Sequence, residues 1–338
     1  MTEKRKLRAG VIGLGVGEKH IEGYTADPRC EVVRICDFDE AKLTDVAGRH
    51  PGPETTLRPE DVLNDPEIDV VSIASYDNDH RDQVVAALEA GKHVFVEKPL
   101  CLFEEELEDI AAVLKAHPNL KLSSNLILRK SPRFVALRDR ILNAELGDIY
   151  YVEGDYNYGR LHKITEGWRG DIPFYSVVHG GSIHLIDLLQ WLTGKRVTEV
   201  TAMGAKMATR DTRYRFDDTV AALMRFQDGS IGKVTANFPC VFPHFHNLSI
   251  YGTQASFVQS HNGGASFYQT RDPEVPPRPV EEAYPGAAKG DMLARFISSI
   301  AEGGDPEVTA QDVMDAMAVS LAIETSNRLG KTVEVRYH

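Results

Sequence analysis

Five short apolar runs, each followed by a stretch of helical periodicity, constrain the first third of this chain more than any other feature. The runs are RAGVIG (8–13), EVVRICD (31–37), DVVSIAS (69–75), HVFVE (93–97) and LKLSS (120–124). Between them lie EKHIEGYTA, DEAKLTDVAGRH, DHRDQVVAALEAG and FEEELEDIAAVLKAH, whose apolar residues recur at helical spacing. Strands that alternate with helices pair as parallel neighbours joined by crossovers, which cover both sheet faces. A run as continuous as DVVSIA suits a strand buried on both sides. Residues 1–123 are therefore expected to form a doubly wound parallel sheet.

From residue 124 the pattern changes. SPRFVALRDRILNAELG and SIHLIDLLQWLTG have helical character, whereas DIYYVEGDYNYG, RVTEVTAMGAKM, DTVAALMRFQDG, SIGKVTANF and HNLSIYGTQASFVQS read as strands. Several are bounded by DG or GT, so an antiparallel meander is expected. GDMLARFISSIAEG and AQDVMDAMAVSLAIETSNRLG read as closing helices, KTVEVRY as a last strand, and DPEVPPRPVEEAYPG as a Pro-rich surface loop. A chain of 338 residues exceeds one ordinary core. Residues 124–338 are accordingly assigned to a second, α+β domain with an open, mainly antiparallel sheet.

Composition narrows the partners. A net charge of −12 disfavours nucleic acid and anionic membrane surfaces, both of which are bound by clustered Lys and Arg. A small molecule fits better. No apolar run reaches the roughly 20 residues that span a bilayer. Cys30, Cys36, Cys101 and Cys240 show no CxxC spacing, and the start MTEKRKLRAGVIG has no secretory character, so a reduced, cytoplasmic protein is expected. His244 and His246, two apart in PHFH, fall short of a metal set and are expected on the sheet surface or at a subunit interface, with no metal site.

The first strand runs into GLGVGEKH, placing Gly13, Gly15 and Gly17 at a strand-to-helix turn. Glycines there let the backbone approach a pyrophosphate held at a helix N-terminus. In the G-x-G-x-x-G register the third glycine would fall at Glu18, so the loop is altered or one residue short. Asp37 closes the second strand at close to the roughly 20-residue interval expected of a carboxylate that binds an adenosine ribose. Such a carboxylate repels a 2′-phosphate and Phe38 adds no positive charge, which favours NAD over NADP. The rival role for Asp37 is a cap for the helix starting near Asp39. Ser75, Tyr76 and His80 follow the third strand, at the sheet edge where open α/β folds bind ligands, although His80 also suits a helix start.

The run DVVSIASYDNDHRDQVVAALEAGKHVFVEKPL resembles the core of the glucose-fructose oxidoreductase / inositol dehydrogenase (Gfo/Idh/MocA) family, with its spaced histidine, AGKHV and EKP. Weaker similarity continues through GWR, GGSIHLIDLLQWLTG, SIYGTQASF and SNRLGKTVEV. The resemblance implies a Rossmann domain, a C-terminal α+β domain used to form a homodimer or homotetramer through its sheet, and NAD(H)-dependent oxidation of a sugar, cyclitol or related polyol. It implies that Lys98, directed by Glu97 and Pro99, is a catalytic lysine beside nicotinamide and substrate, and that His184 accepts the substrate proton. Physically, hydride loss from an alcohol needs its hydroxyl proton removed, and an ammonium stabilises the developing alkoxide. Asp187, one helical turn on, is expected to orient the His184 imidazole.

The family's sugar dehydrogenases often carry an aspartate four residues before this histidine, where this chain has Gly180; His179 or Tyr175 are the candidate replacements. Asn125 and Arg129 sit where similar proteins place residues beside the nicotinamide, and Arg129, Tyr158, Trp168 and Arg169 offer groups that hold a polyhydroxylated ring. Two alternatives share the fold: a lyase or glycosidase that retains its NAD, and a dinucleotide-binding sensor that does no chemistry.

Overall fold

The computed structural model describes residues 5–338. They divide into two compact units, one running to Ile127 and taking back Ala288–Met314 and His338, the other comprising Leu128–Ala287 and Asp315–Tyr337.

In the first unit the chain builds β1 (Leu7–Ile12), α1 (Gly17–Thr25), β2 (Cys30–Cys36), α2 (Glu40–Arg49), β3 (Glu54–Thr56), α3 (Glu60–Leu63), β4 (Val70–Ile73), α4 (His80–Glu89), β5 (His93–Val96), α5 (Glu104–Ala116) and β6 (Leu122–Ser124). The six strands are parallel, in the order β3-β2-β1-β4-β5-β6. That order reverses direction at β1/β4, the switch point at which such sheets bind ligands. Every residue of β4 is buried, which explains its unbroken apolar run. The five expected strands are present; β3 is a sixth.

The second unit contains α6 (Pro132–Leu142), β7 (Ile149–Asn157), α7 (His162–Thr165), α8 (Ile183–Thr193), β8 (Val197–Ala205), β9 (Thr219–Phe226), β10 (Ile231–Asn237), β11 (Phe245–Gly252), β12 (Ser256–Ser260), β13 (Gly264–Tyr268) and β14 (Arg278–Pro279). Its nine strands run β14-β13-β12-β11-β7-β10-β9-β8-β15, the last being β15 (Val333–Glu334). All pairings are antiparallel except β7 with β10, so the sheet is mixed rather than a pure meander. Burial alternates along β9, with Val220, Ala222, Met224 and Phe226 on the covered face. At Gly154 a Cβ would come within 3.1 Å of the Leu185 side chain, so this glycine lets α8 lie close on β7. The opposite face is open and carries Met203, Leu223, Ile231 and Tyr151.

Two helices close the chain, α9 (Asp291–Ala301) and α10 (Ala310–Leu329). Sequence alone assigns both to the second domain. In the structure α9 belongs to the first unit: Phe296 packs against Phe95 with ring centroids 5.6 Å apart, and Leu293 fills the space left by the missing side chain of Gly23. Met292, Leu293, Phe296 and Ile297 make its buried apolar stripe, which packs against α1 and, through Phe95, against β5. Among the described residues no helix is long and apolar enough to cross a membrane.

Candidate active site

In the first unit the sequence-predicted residues fall where the strands end. Gly13 follows β1, Asp37 follows β2, Ser75 lies just beyond β4, Glu97 follows β5 and Asn125 follows β6. Gly13 has φ +84°, and a Cβ there would lie 2.3 Å from the Ala74 carbonyl oxygen, so the turn demands glycine. At Gly15 an added Cβ would meet nothing within 4 Å, so its backbone is open to close approach. Gly17 opens α1, and a Cβ there would sit 3.0 Å from Val11, the tight helix–strand contact that the third fingerprint glycine normally provides. The loop is thus one residue short, with Gly17 taking the packing role.

Glu18, in the first turn of α1, is engaged by Arg49 at 2.7 Å and His50 at 3.2 Å. The hydrogen bond from Arg49 lowers its pKa, and the guanidinium offsets the negative charge that Glu18 places in the first turn of α1. No side chain caps the N-terminus of α1 at Val16, which leaves its first N–H groups available to a pyrophosphate.

Asp37 is buried and accepts N–H bonds from Leu14 at 2.8 Å and Asp39 at 3.0 Å. It therefore ties the glycine turn to the end of β2. The cap of α2 is Asp39, which accepts from Ala41 and Lys42, so the capping role weighed for Asp37 belongs to its neighbour. Phe38 is 69% exposed and edge-on to Tyr76, an apolar surface beside the carboxylate. An uncapped helix start, an open Gly15 and a carboxylate at the end of β2 together fit a dinucleotide without a 2′-phosphate.

Glu97 is the hub at the end of β5. Its Oε1 accepts from Asn125 Nδ2 at 2.8 Å and faces His20 Nε2 at 3.2 Å. Burial would raise this carboxyl, yet the His20 hydrogen bond and charge, the Asn125 amide and the Lys98 charge outweigh it and hold the group down at about 2. Glu97 is thus a fixed anion directly beside half-buried Lys98. His80 is buried with Nδ1 2.6 Å from the Pro99 carbonyl and Nε2 3.3 Å from that of Ser75, clamping the strand end that carries Lys98 to the end of β4. Ser75 Oγ donates to Gln83 at 2.8 Å.

The second unit gathers its own cluster on the covered face of the sheet. His184, at the start of α8, stacks on Tyr156 of β7 at 6.3 Å, and His246 of β11 lies edge-on to Tyr156 at 5.1 Å and to His184 at 6.4 Å. His246 is buried, not on the sheet surface; His244, which precedes β11, is exposed and packs edge-on to Tyr158 at 5.5 Å. Burial first, and the His244 charge second, push the His246 imidazole down to about 3. Tyr158 is half-buried and stacked on Tyr156, while the Arg169 guanidinium lies 4.6 Å over the Trp168 ring and 5.8 Å over that of Tyr175.

Arg129, expected near substrate, is buried and forms an ion pair with Asp187, Nη2 to Oδ1 at 2.5 Å and Nε to Oδ2 at 3.0 Å. Asp187 therefore holds the segment before α6 to α8, which positions the helix bearing His184. At Gly180 an added Cβ would lie 2.0 Å from the Tyr175 hydroxyl oxygen and 2.7 Å from Cζ. Tyr175, weighed with His179 as a replacement for a carboxylate here, occupies that space; the His179 Nδ1 instead contacts Ser320 at 2.7 Å.

Sequence reasoning passed over His20, Tyr156 and the buried position of His246. The i, i+2 spacing of His244 and His246 was a usable signal, since it marks one strand face; the face that is covered is set by long-range pairing of His246 with Tyr156. Among the described residues, the one grouping with metal-ligand proximity is Glu104, Glu108 and His338, which is largely solvent-exposed and lies outside these clusters.

Residues 7–125 match the model of an oxidoreductase family with an NAD-binding Rossmann fold, and residues 134–258 match the GFO/IDH/MocA C-terminal domain. The chain is 27% identical to a scyllo-inositol 2-dehydrogenase (NAD(+)) of Bacillus subtilis, covering 98% of this chain and 97% of that protein. It is 25% identical to a 1,5-anhydro-D-fructose reductase of Ensifer adhaerens, over 97% and 98% of the two chains. The fold superposes on levoglucosan dehydrogenase in complex with NADH with a TM-score of 0.85 at 23% identity, covering 99% of this chain and 100% of that one.

Proposed function

The chain belongs to the Gfo/Idh/MocA oxidoreductase family, whose N-terminal domain is an NAD-binding Rossmann fold, and from that premise we propose that it oxidises a secondary hydroxyl of a cyclitol or sugar. The observation that carries the proposal is the fixed Glu97 anion beside Lys98 at the end of β5, in the unit that also holds the glycine turn and Asp37.

In this reading Gly13, Gly15 and Gly17 with the start of α1 would hold the pyrophosphate, Asp37 would hold the adenosine ribose, and Ser75, Tyr76 and Asn125 would line the nicotinamide end, with buried His80 supporting them from behind through Pro99 and Ser75. Bound NAD supplies the hydride acceptor. The Lys98 ammonium donates a hydrogen bond to the reacting hydroxyl oxygen and stabilises charge as it develops there. His184 accepts the hydroxyl proton as the carbinol carbon loses hydride, leaving a ketone. Tyr158, Trp168 and Arg169 present ring faces and hydrogen-bond donors suited to a polyhydroxylated ring. Arg129 acts at one remove, through its ion pair with Asp187.

The dehydrogenases and reductases among its relatives support a cyclitol or sugar as substrate. The free cysteines Cys30, Cys36, Cys101 and Cys240 support a reducing, cytoplasmic setting. The open sheet face supports self-association. The test is reduction of NAD and of NADP, followed by absorbance across cyclitols, free sugars and nucleotide sugars. NAD reduction by the parent protein that falls at least 10²-fold in both Lys98→Ala and His184→Ala is the expected result. Turnover within a few fold of parent in either variant refutes its role. Tight NADH binding without reduction of NAD by any panel member would favour the retained-nucleotide lyase.

A further inference from the structure

His20 has no place in the scheme above, yet it is fully buried and both its ring nitrogens are engaged. Nδ1 meets Ser72 Oγ of β4 at 2.8 Å, Nε2 meets Glu97 Oε1 at 3.2 Å, and the ring stands edge-on to Phe95 of β5 at 5.2 Å. An ionised carboxylate only accepts hydrogen bonds, so His20 must carry a hydrogen on Nε2. The same oxygen also accepts from Asn125, beyond β6. One carboxylate oxygen thus receives donors from α1 and from the end of β6, and Ser72 fixes the imidazole from β4.

We propose that His20 is a positioning residue: it anchors the Glu97 carboxylate to the helix that begins at the glycine turn, and so sets the direction in which the next residue, Lys98, presents its ammonium. The proposal rests on the reading of Lys98 as the group that touches the reacting oxygen. Three features separate this from ordinary core packing. A buried imidazole needs one hydrogen-bond partner per nitrogen, and here both are side chains at the sheet's functional edge. Glu97 and Lys98 are adjacent, so anchoring the Glu97 side chain restrains the backbone that carries the lysine. Finally, His20 lies in the first turn of α1, the element whose N-terminus the dinucleotide would occupy, so the lysine is registered against the cofactor's own support.

The experiment compares His20→Phe, which fills the volume against Phe95 without a donor, His20→Gln, whose side-chain amide can reach Glu97, and Ser72→Ala. NADH affinity is read by fluorescence titration, kcat and KM with the panel compound that reduces NAD fastest, and Lys98 accessibility by acetic anhydride labelling mapped by mass spectrometry. The labelling needs no substrate. His20→Phe is expected to lower kcat on the order of 10²-fold, as misplacement by about 1 Å does, with KM and NADH affinity within threefold of parent and the Lys98 labelling rate changed at least threefold. His20→Gln restores most of both, and Ser72→Ala falls between.

Parent-like kcat and labelling in His20→Phe overturn the proposal, as does equal impairment of His20→Phe and His20→Gln. If His20→Phe does not fold, Ser72→Ala decides: lowered kcat and altered labelling with unchanged NADH affinity support the proposal, and parent values refute it. Lys98→Ala keeps the two readings apart, because parent-like turnover there sinks the role of Lys98, whereas an inactive Lys98→Ala beside a fully active His20→Phe sinks only the positioning role.

Discussion

A buried histidine and a partly buried glutamate give acid stability a distinct signature. His246 titrates at about 3 in the folded chain against an ordinary 6.5, because burial and then His244 disfavour its cation. The unfolded chain therefore binds the proton first, and stability present above pH 6.5 is lost as pH falls towards 3. His246→Phe is expected to remove on the order of 2–3 kcal/mol of the loss seen between pH 7 and pH 4.5, measured by urea unfolding. Glu97 works in a lower window. Its carboxyl is held at about 2 against an ordinary 4.5, so its contribution is present above 4.5 and lost only as pH falls from there to about 2. Glu97→Gln should leave the slope between pH 7 and pH 5 unchanged and flatten it below; a changed upper slope would contradict the assignment. Neither group announced itself by residue type. Glu97 stood out as a neighbour of Lys98, but its partner His20 lies 77 positions away in what reads as an ordinary amphipathic stretch.

At the scale of elements, the turn before α8 leaves no room for a side chain at residue 180. With a Cβ at residue 180 only 2.0 Å from the Tyr175 oxygen, and Tyr175 itself buried, either the ring or the turn must move. Gly180→Ala should cost about 1–3 kcal/mol or more. The double change Gly180→Ala with Tyr175→Ala should cost less than the sum of the singles by at least about 1 kcal/mol, a coupling that a double-mutant cycle reads directly. Strict additivity would mean the two residues do not share this space.

Period and turn chemistry made the parallel strands, the glycine turn and α8 legible in the sequence, since each is a local pattern. They did not reveal β3, whose three residues Glu54–Thr56 are polar and exist as a strand only by pairing with β2. Nor did they reveal the parallel pairing of β7 with β10, which is set by register across the sheet. Lys98 and His184 were singled out as candidates because the runs that hold them, HVFVEKPL and GGSIHLIDLLQWLTG, resemble family motifs. Tyr156 and His246 were not, because an aromatic or histidine on an alternating strand looks the same on a covered face as on an open one.

For the whole molecule, the open face of the second unit's sheet supplies the testable surface. Lys233 there bridges Glu153 at 3.2 Å and Asp155 at 3.0 Å, Tyr151 stacks on Tyr251, and Leu223 is 55% exposed in their midst. An apolar centre with paired charges around it matches the composition of a protein interface. Leu223→Asp is expected to shift the protein to a smaller species in light scattering after gel filtration while leaving NADH binding intact; an unchanged mass would place any assembly on another surface.

The return of α9 to the first unit carries a consequence for how the chain is made. Gly23 and Phe95 leave the ribosome well before Leu293 and Phe296, which cover them. At about 5–20 residues per second, their apolar bed stays bare for on the order of tens of seconds during synthesis. The nascent first unit therefore keeps that apolar bed exposed until α9 emerges, and a message truncated before codon 288 yields a product whose six-stranded sheet is complete but lacks its α9 cover.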